Sequence, residues 1–333
     1  MYRENDSGLN LAEMELTNKC NLNCKHCYVN KKVLSEIPFD KAKKIVSDLN
    51  DLGVNRLVFT GGETLLYKKL FDLADYSKEL GVPDIVLLSN GILINEQNVK
   101  ELKRFSFVQL SIDVPPGKEK ILRADYSNNL VNTIDLLQKN GIKVTLLCTL
   151  NNRNYTYVKD FVEFASSKGI KISFNKLAVI NNDPELKKLK LNKKQLKEAL
   201  AKVAEYKHSC NVGCSDPLLF LVDEKRKKYY DSMDKKRIIG GCLAGITAIY
   251  ICSNQDVYIC PFVPKKIDSV SRKSIKTVWE KNRTLSLLRD RKNFYGKCSK
   301  CEYLNACGGC RGASFNSDKN LFGSDSNCFI DEL

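Results

Sequence analysis

The chain has 333 residues, 54 Lys and Arg against 39 Asp and Glu for a formal charge of +15, and a hydrophobic fraction of 43%. That balance gives ordinary globular material with room for a large and a smaller domain, and it excludes disordered, collagen-like and coiled-coil chains. No apolar run reaches the roughly 18 residues of a membrane span, and the start, MYRENDSGLN, lacks a signal-peptide core, so the cytoplasm is the expected compartment. The 14 cysteines, beside two histidines and one tryptophan, then favour metal or redox chemistry over disulfides. Three stand at 20, 24 and 27, one at 148, and ten between 210 and 328.

From residue 11 to about 175, β-rich runs alternate with amphipathic stretches of helix length. LAEMELT (11–17) reads as a strand entering the first cysteines, and a helix follows near 39–52. NRLVFT (55–60) is a strand ending in Gly61-Gly62-Glu63, with a helix near 67–80. DIVLLS (84–89), SFVQLSID (106–113) and IKVTLLCT (142–149) are strands followed by helical patterns near 95–104, 127–140 and 154–168, and IKISFN (170–175) is a sixth strand. Gly53, Gly81, Gly141 and Gly169 each fall between a helix and the next strand, where a left-handed cap is expected.

Six strands alternating with helices in about 165 residues predict parallel β/α winding, either an open barrel or a doubly wound sheet; a complete barrel wants eight units. A lysine-rich helical pattern fills 185–207, and a poorly patterned stretch follows with Cys210, Cys214 and Asp216. The boundary to a second unit falls near 236–241. AIYIC-SNQD-VYIC (248–260) reads as a hairpin turning at Asn254-Gln255, which places Cys252 and Cys260 on opposite faces. There is no internal repeat.

Cys20-x3-Cys24-x2-Cys27 directly follows the first strand, at the end where α/β folds gather their chemistry. Three thiolates in eight residues can wrap one metal centre. A [4Fe–4S] cluster normally takes four, so three leave an iron with an open position. The competing reading is a zinc knuckle that borrows a ligand from Cys148 or His26.

These residues resemble the radical S-adenosylmethionine (SAM) enzymes, whose C-x3-C-x2-C lies on the loop after the first strand of a partial (β/α)6 TIM-like barrel. His26 stands where that family usually carries an aromatic ring. The resemblance implies that Gly61, Gly62 and Glu63 hold the SAM amino group, that Ser89 and Asn90 form another recurring turn of the SAM site, and that Ser111, Asp113 and Arg123 serve the side of the SAM carboxylate. A zwitterion needs a carboxylate for its ammonium and an Arg or hydroxyl for its own carboxylate, which agrees with that assignment.

Beyond Cys242 the spacing is Cys242-x17-Cys260, Cys298-x2-Cys301-x5-Cys307-x2-Cys310, then Cys328. Seven are too many for one four-ligand site, and five residues between pairs is short for a zinc ribbon. The array resembles the SPASM extension of the same family, a small C-terminal cysteine-rich iron–sulfur domain with two auxiliary [4Fe–4S] clusters. By that resemblance the distal cluster takes Cys298, Cys301, Cys307 and Cys328, and the proximal one Cys242, Cys260 and Cys310. Two departures stand out: the family usually has three residues between the last pair, here Gly308 and Gly309 alone, and the usual turn glycine of the hairpin is Gln255. The fourth proximal ligand is left open among Cys252, Cys210, Cys214 and none. The resulting division is a barrel at 1–207, a bridging region at 208–240 and the auxiliary-cluster domain at 241–333.

Cys148, in an apolar strand, reads as a buried hydrophobe. Cys214 and Asp216 are the candidate catalytic pair, a hydrogen-atom donor and a base at the barrel mouth. Residues 185–237 carry 15 Lys and Arg against 8 Asp and Glu, which reads as a solvated face or as a dock for an acidic peptide or a flavodoxin- or ferredoxin-type reductant. No nucleic-acid motif accompanies the charge. The resemblance implies reductive cleavage of SAM to a 5′-deoxyadenosyl radical that abstracts hydrogen from a substrate. The expected substrate is a ribosomally made peptide undergoing epimerisation or a thioether or carbon cross-link. The alternatives are a small molecule, such as a tetrapyrrole decarboxylated as in haem biosynthesis (suggested by CGGCR at 307–311), and a non-catalytic zinc scaffold. The 19 residues before Cys20 are fewer than the leader-binding domain many peptide maturases carry at that end, which leaves a peptide substrate open because a separate protein can recruit the leader.

Overall fold

The computed structural model describes residues 8–29, 32–118, 127–181, 183–235 and 237–332. Strands and helices alternate as β1 (Leu11–Thr17), α1 (Phe39–Asp51), β2 (Arg56–Gly61), α2 (Leu70–Glu79), β3 (Asp84–Ser89), β4 (Phe107–Ile112), α3 (Ser127–Lys139), β5 (Val144–Leu150), α4 (Val158–Ser167) and β6 (Lys171–Lys176). The helix expected near 95–104 is a 3₁₀ turn over Val99–Arg104. Glycines 53, 81, 141 and 169 adopt φ of +72, +86, +73 and +65°, the left-handed caps that end each helix before the next strand.

Strands β1 to β6 pair in sequence order, all parallel. A doubly wound sheet would reverse its order at a switch point, so this is barrel winding. Residues alternate across it: Phe59, Leu87, Leu110, Leu146, Cys148, Ile172 and Phe174 are fully buried in the core, while Thr60, Leu88, Ser111, Leu147, Thr149 and Asn175 line an internal cavity. Cys148 is therefore core packing.

The lysine-rich stretch breaks into α5 (Pro184–Leu189) and α6 (Lys193–Lys207), because Asn192 and Gln195 form a capping box that restarts the helix. Leu196, Ala199, Leu200 and Val203 bury one face of α6, with most of its lysines outside it, the solvated-face reading. Next come β7 (Val212–Cys214), α7 (Glu224–Asp231), β8 (Ala248–Ile251), β9 (Asp256–Tyr258), β10 (Asp268–Ser269), α8 (Ile275–Lys281), α9 (Arg283–Arg289) and α10 (Arg311–Asp318).

The sheet has ten strands, ordered β10-β9-β8-β1-β2-β3-β4-β5-β6-β7. Strand β7, from the expected bridging region, extends the β6 edge, and the C-terminal hairpin joins the other edge through β8 parallel to β1. The boundary drawn near 236–241 is thus not a packing boundary.

The hairpin register also differs from expectation. Tyr250 pairs with Tyr258 and Ile251 with Val257, one residue off the two-residue turn, and Gln255 takes φ +70° in a three-residue loop. That slip puts Cys252 and Cys260 on one face by alternation rather than on opposite faces. Three donors on the hairpin, Tyr250 Oη, Ser253 Oγ and Ser253 N, converge on the buried Glu15 carboxylate of β1 and fix the register.

Candidate functional site

The loop of Cys20, Cys24 and Cys27 is pinned from several sides. Asn18 bridges Val33 and Ser35, its amide nitrogen donating to Val33 O at 2.7 Å and its oxygen accepting from Ser35 N at 2.8 Å. Asn90 Nδ2 donates to Asn21 Oδ1 at 2.8 Å, which ties the loop to the end of β3. Gly61 and Gly62 let the end of β2 cross under the loop: a Cβ on either would fall 2.3 Å from Thr17 O or 2.2 Å from Lys19 O. Gly62 N and Glu63 N donate there instead, to Thr17 O at 2.8 Å and Lys19 O at 2.7 Å.

Above this loop opens a cavity with about 920 Å³ of empty space, open solvent at its mouth included. Cys20, Cys24, Cys27, Gly61, Gly62, Ser89, Asn90, Ser111 and Asp113 all line it. Distant stretches of sequence thus meet in one cavity wall. His26, the departure from the family's aromatic position, sets Nε2 3.5 Å from Asp113 Oδ1, so the cysteine loop rests on the end of β4.

Glu63 is placed differently from expectation. It is buried, and its carboxylate accepts from Ser89 Oγ at 2.8 Å, Asn90 N at 2.9 Å and Leu65 N at 3.1 Å. It shapes the Ser89–Asn90 turn from behind, which leaves the cavity wall to the two glycines. Arg123 lies outside the described residues.

In the tail, Cys298, Cys301, Cys307 and Cys328 line one cavity of about 400 Å³ together with Gly308 and Gly309. These two glycines, at φ +65 and +61°, turn the chain between Cys307 and Cys310 in one residue fewer than the family pattern. A Cβ on Gly309 would stand 3.2 Å from Cys298 Sγ. Cys260 is half-buried, and its desolvation pushes the thiol well above the ordinary range; Cys242 and Cys310 push the same way, so these three are neighbours. Burial likewise raises Cys310 to about 12. Thiols brought together in this way suit a cationic iron centre, which holds its ligands as thiolates. Among the described residues no three side chains close on a single point as one metal ion requires; Cys20, Cys24 and Cys27 line the first cavity and Cys298, Cys301, Cys307 and Cys328 the second.

The leftover cysteines separate from these sets. Cys252 Sγ donates to Glu15 Oε1 at 3.3 Å, and burial followed by that carboxylate raises it to about 12. Cys214 and Asp216, the candidate catalytic pair, line neither cavity. Cys214 lies in β7, raised to about 12 by burial and then by Asp216. Asp216 is buried, caps Leu218 N at 2.9 Å and pairs with Lys176 Nζ at 2.9 Å; Lys176 also stands 3.5 Å from Asp325. A carboxylate closed into an ion pair is a poor base, so the geometry gives Asp216 a structural part. Burial alone would lower Lys176, but the two carboxylates hold it well above the lysine range.

Sequence reasoning missed Thr60, Leu147, Thr149, Asn175 and Phe262 in the cavity wall. For the first four the available signal was strand alternation, since each sits at the phase opposite to the buried ones; Phe262 lies in the turn after β9. Glu13 and Glu15 were also legible in principle, as charges at alternate positions of the otherwise apolar LAEMELT.

The sequence pattern of the radical SAM superfamily matches residues 14–165, and that of an iron–sulfur cluster-binding domain, SPASM, matches 242–302. The chain is 23% identical to the AdoMet-dependent heme synthase of Oleidesulfovibrio alaskensis over 96% of its own length and 86% of that protein. It is 24% identical to the antilisterial bacteriocin subtilosin biosynthesis protein AlbA of Bacillus subtilis over 92% and 68%. The structure of Streptococcus suis SuiB bound to precursor peptide SuiA superposes with a TM-score of 0.77 at 20% identity, covering 97% of this chain and 76% of that one, which shows a common fold. With its three-cysteine loop at the mouth of a partial barrel and its cysteine-lined tail, the chain belongs to the radical SAM superfamily as an enzyme with a C-terminal SPASM domain, and its cofactors are [4Fe–4S] clusters and S-adenosylmethionine.

Proposed function

We propose that this enzyme modifies a side chain of a ribosomally made peptide. The observation that carries the reading is the cavity wall: among the described residues it contains no Lys or Arg, and most of its polar groups are uncharged, with Ser111, Thr60, Thr149 and Asn175 among them. Hydroxyls and amides of this kind partner peptide groups, whereas a tetrapyrrole with several carboxylates calls for cations. The likeness to SuiB and AlbA supports the reading. The tetrapyrrole alternative is favoured by the sequence likeness to heme synthases along nearly the whole chain.

Cys20, Cys24 and Cys27 hold the barrel cluster in this reading, while Cys298, Cys301, Cys307 and Cys328 hold the distal one and Cys242, Cys260 and Cys310 the proximal one. When bound, the barrel cluster and SAM supply a one-electron cleavage whose product takes a hydrogen atom from the substrate. The chain's own part is positional. Glu63 sets the Ser89–Asn90 turn, Asn90 fixes the cysteine loop, Ser111 and Asp113 form the far wall, and Tyr28 and Phe262, 5.4 Å apart edge to face, roof the cavity toward the tail. The basic exterior suits a flavodoxin- or ferredoxin-type reductant.

The test begins with iron and sulfide per chain after anaerobic reconstitution, expected at about 12 irons for three clusters. Formation of 5′-deoxyadenosine from SAM under reducing conditions follows. Co-expression with short peptides encoded beside the gene, read by mass spectrometry, is set against turnover of iron-coproporphyrin. A mass change in a peptide supports the reading; turnover of the tetrapyrrole with every peptide unchanged overturns it.

A further inference from the structure

Arg291 is 3% exposed and lies in the tail between the two cysteine sets. Nη1 donates to Leu304 O at 2.6 Å, and Nη2 to Gly240 O at 2.7 Å and to Cys242 O at 3.2 Å. Its Nε has no acceptor among the described residues. The guanidinium presses on Gly308, where a Cβ would come within 2.7 Å of Cζ and 3.0 Å of Nε. One end of the group thus touches the backbone of a proximal cysteine, Cys242, and its flank touches the residue after a distal one, Cys307. Cys242 N also donates to Cys307 O at 3.1 Å, so the two sets meet at this side chain.

No carboxylate pairs with Arg291 among the described residues. Two other buried cations nearby have every nitrogen or the charge itself provided for. Arg311, 1% exposed and likewise without a carboxylate among the described residues, has all three nitrogens on the carbonyls of Leu321, Gly323, Gly308 and Gly309 and stacks on Phe294, while Lys176 has Asp216 and Asp325. A buried charge without a counter-charge is costly, and an orphaned buried N–H adds to that cost. Both costs vanish beside an anion, and thiolate-ligated iron–sulfur clusters are anionic.

We infer that Arg291 is a positioning residue shared by both auxiliary clusters, supplying their counter-charge and raising the reduction potential of each. Reduction adds negative charge to a cluster, so a fixed cation beside it stabilises the reduced state. The inference rests on the reading of the tail as a two-cluster domain.

The experiment is an EPR-monitored redox titration of the reconstituted full chain, wild type beside Arg291→Met and Arg291→Lys, with metal analysis first. A wild type holding only about 4 irons would withdraw the two-cluster reading itself, and this inference with it. With about 12 irons in place, both auxiliary potentials are expected to shift negative in Arg291→Met and to return toward wild type in Arg291→Lys, with the barrel cluster unmoved in all three. Wild-type potentials in a fully loaded Arg291→Met protein overturn the inference. Should Arg291→Met lose its auxiliary iron, wild type grown on ¹⁵N-guanidinium arginine decides by pulsed EPR: coupling of guanidinium nitrogen to a reduced auxiliary cluster supports the assignment, and its absence overturns it.

Discussion

Glu13 points inward from β1, with no hydrogen-bond or ion-pair partner among the described residues, and burial pushes its carboxyl up to about 7. Its neighbours are the Tyr28 ring, in the cavity wall, and Cys260 of the tail. The folded state therefore holds this proton more tightly than the unfolded chain, whose carboxyl titrates near 4.5. Stability from this group is fully present below that value, falls as pH rises through the window up to about 7, and stays lost above it. Glu13→Gln is accordingly expected to raise the melting temperature at pH 8 and to leave it nearly unchanged near pH 4.5. Melts at both pH values check this, and an equal shift at both would refute it.

At the scale of elements, the hairpin β8–β9 shows how one backbone conformation reassigns side chains. Gln255 at φ +70° completes a three-residue loop, with Gln255 N donating to Cys252 O at 2.8 Å and Cys252 N to Asp256 O at 2.8 Å. An L residue in the left-handed region costs about 1–2 kcal/mol, and glycine avoids this while losing about 0.5–1 kcal/mol more chain entropy on folding. Gln255→Gly is therefore expected to stabilise the protein by up to about 1 kcal/mol in urea unfolding, with iron content unchanged. A measured loss of stability would show that the Gln side chain, not the backbone, holds the turn. The register that this loop sets turns Cys252 toward Glu15, while Cys260 meets Cys242 and Cys310, so alternation alone does not make Cys252 a ligand.

Across the whole molecule, the barrel and the tail are joined by more than the shared sheet. Lys176 at the end of β6, Asp216 after β7 and Asp325 near the C-terminal cysteines form a buried ion triad, and Asp325 Oδ2 accepts from Cys310 N at 2.8 Å. One side chain thus fixes the last barrel strand against a proximal cysteine. Lys176→Met would leave two buried carboxylates facing each other, with an expected cost of about 3–5 kcal/mol in denaturant unfolding. Adding Asp216→Asn should recover part of it, since one uncompensated charge is removed. A single-variant cost below about 1 kcal/mol would mean that water already screens the triad.

Much of the site was legible before any coordinate. Spacing named the three-cysteine loop and the tail cysteines, strand ends named Gly61, Gly62, Ser89, Asn90, Ser111 and Asp113, and alternation of helix and strand named the winding. These features are local: a turn, a periodicity or a ligand spacing is fixed within a few residues, and its chemistry follows from the residue types present. The tertiary structure alone decided that β8 continues the barrel sheet, that Glu63 faces the Ser89–Asn90 turn, that Asp216 is closed by Lys176, and that Arg291 stands between the cysteine sets. Each depends on groups brought together from tens to hundreds of residues apart, by strand pairing and by the burial of charge. No local pattern encodes the partner of a buried side chain, because that partner is chosen by how the whole chain packs.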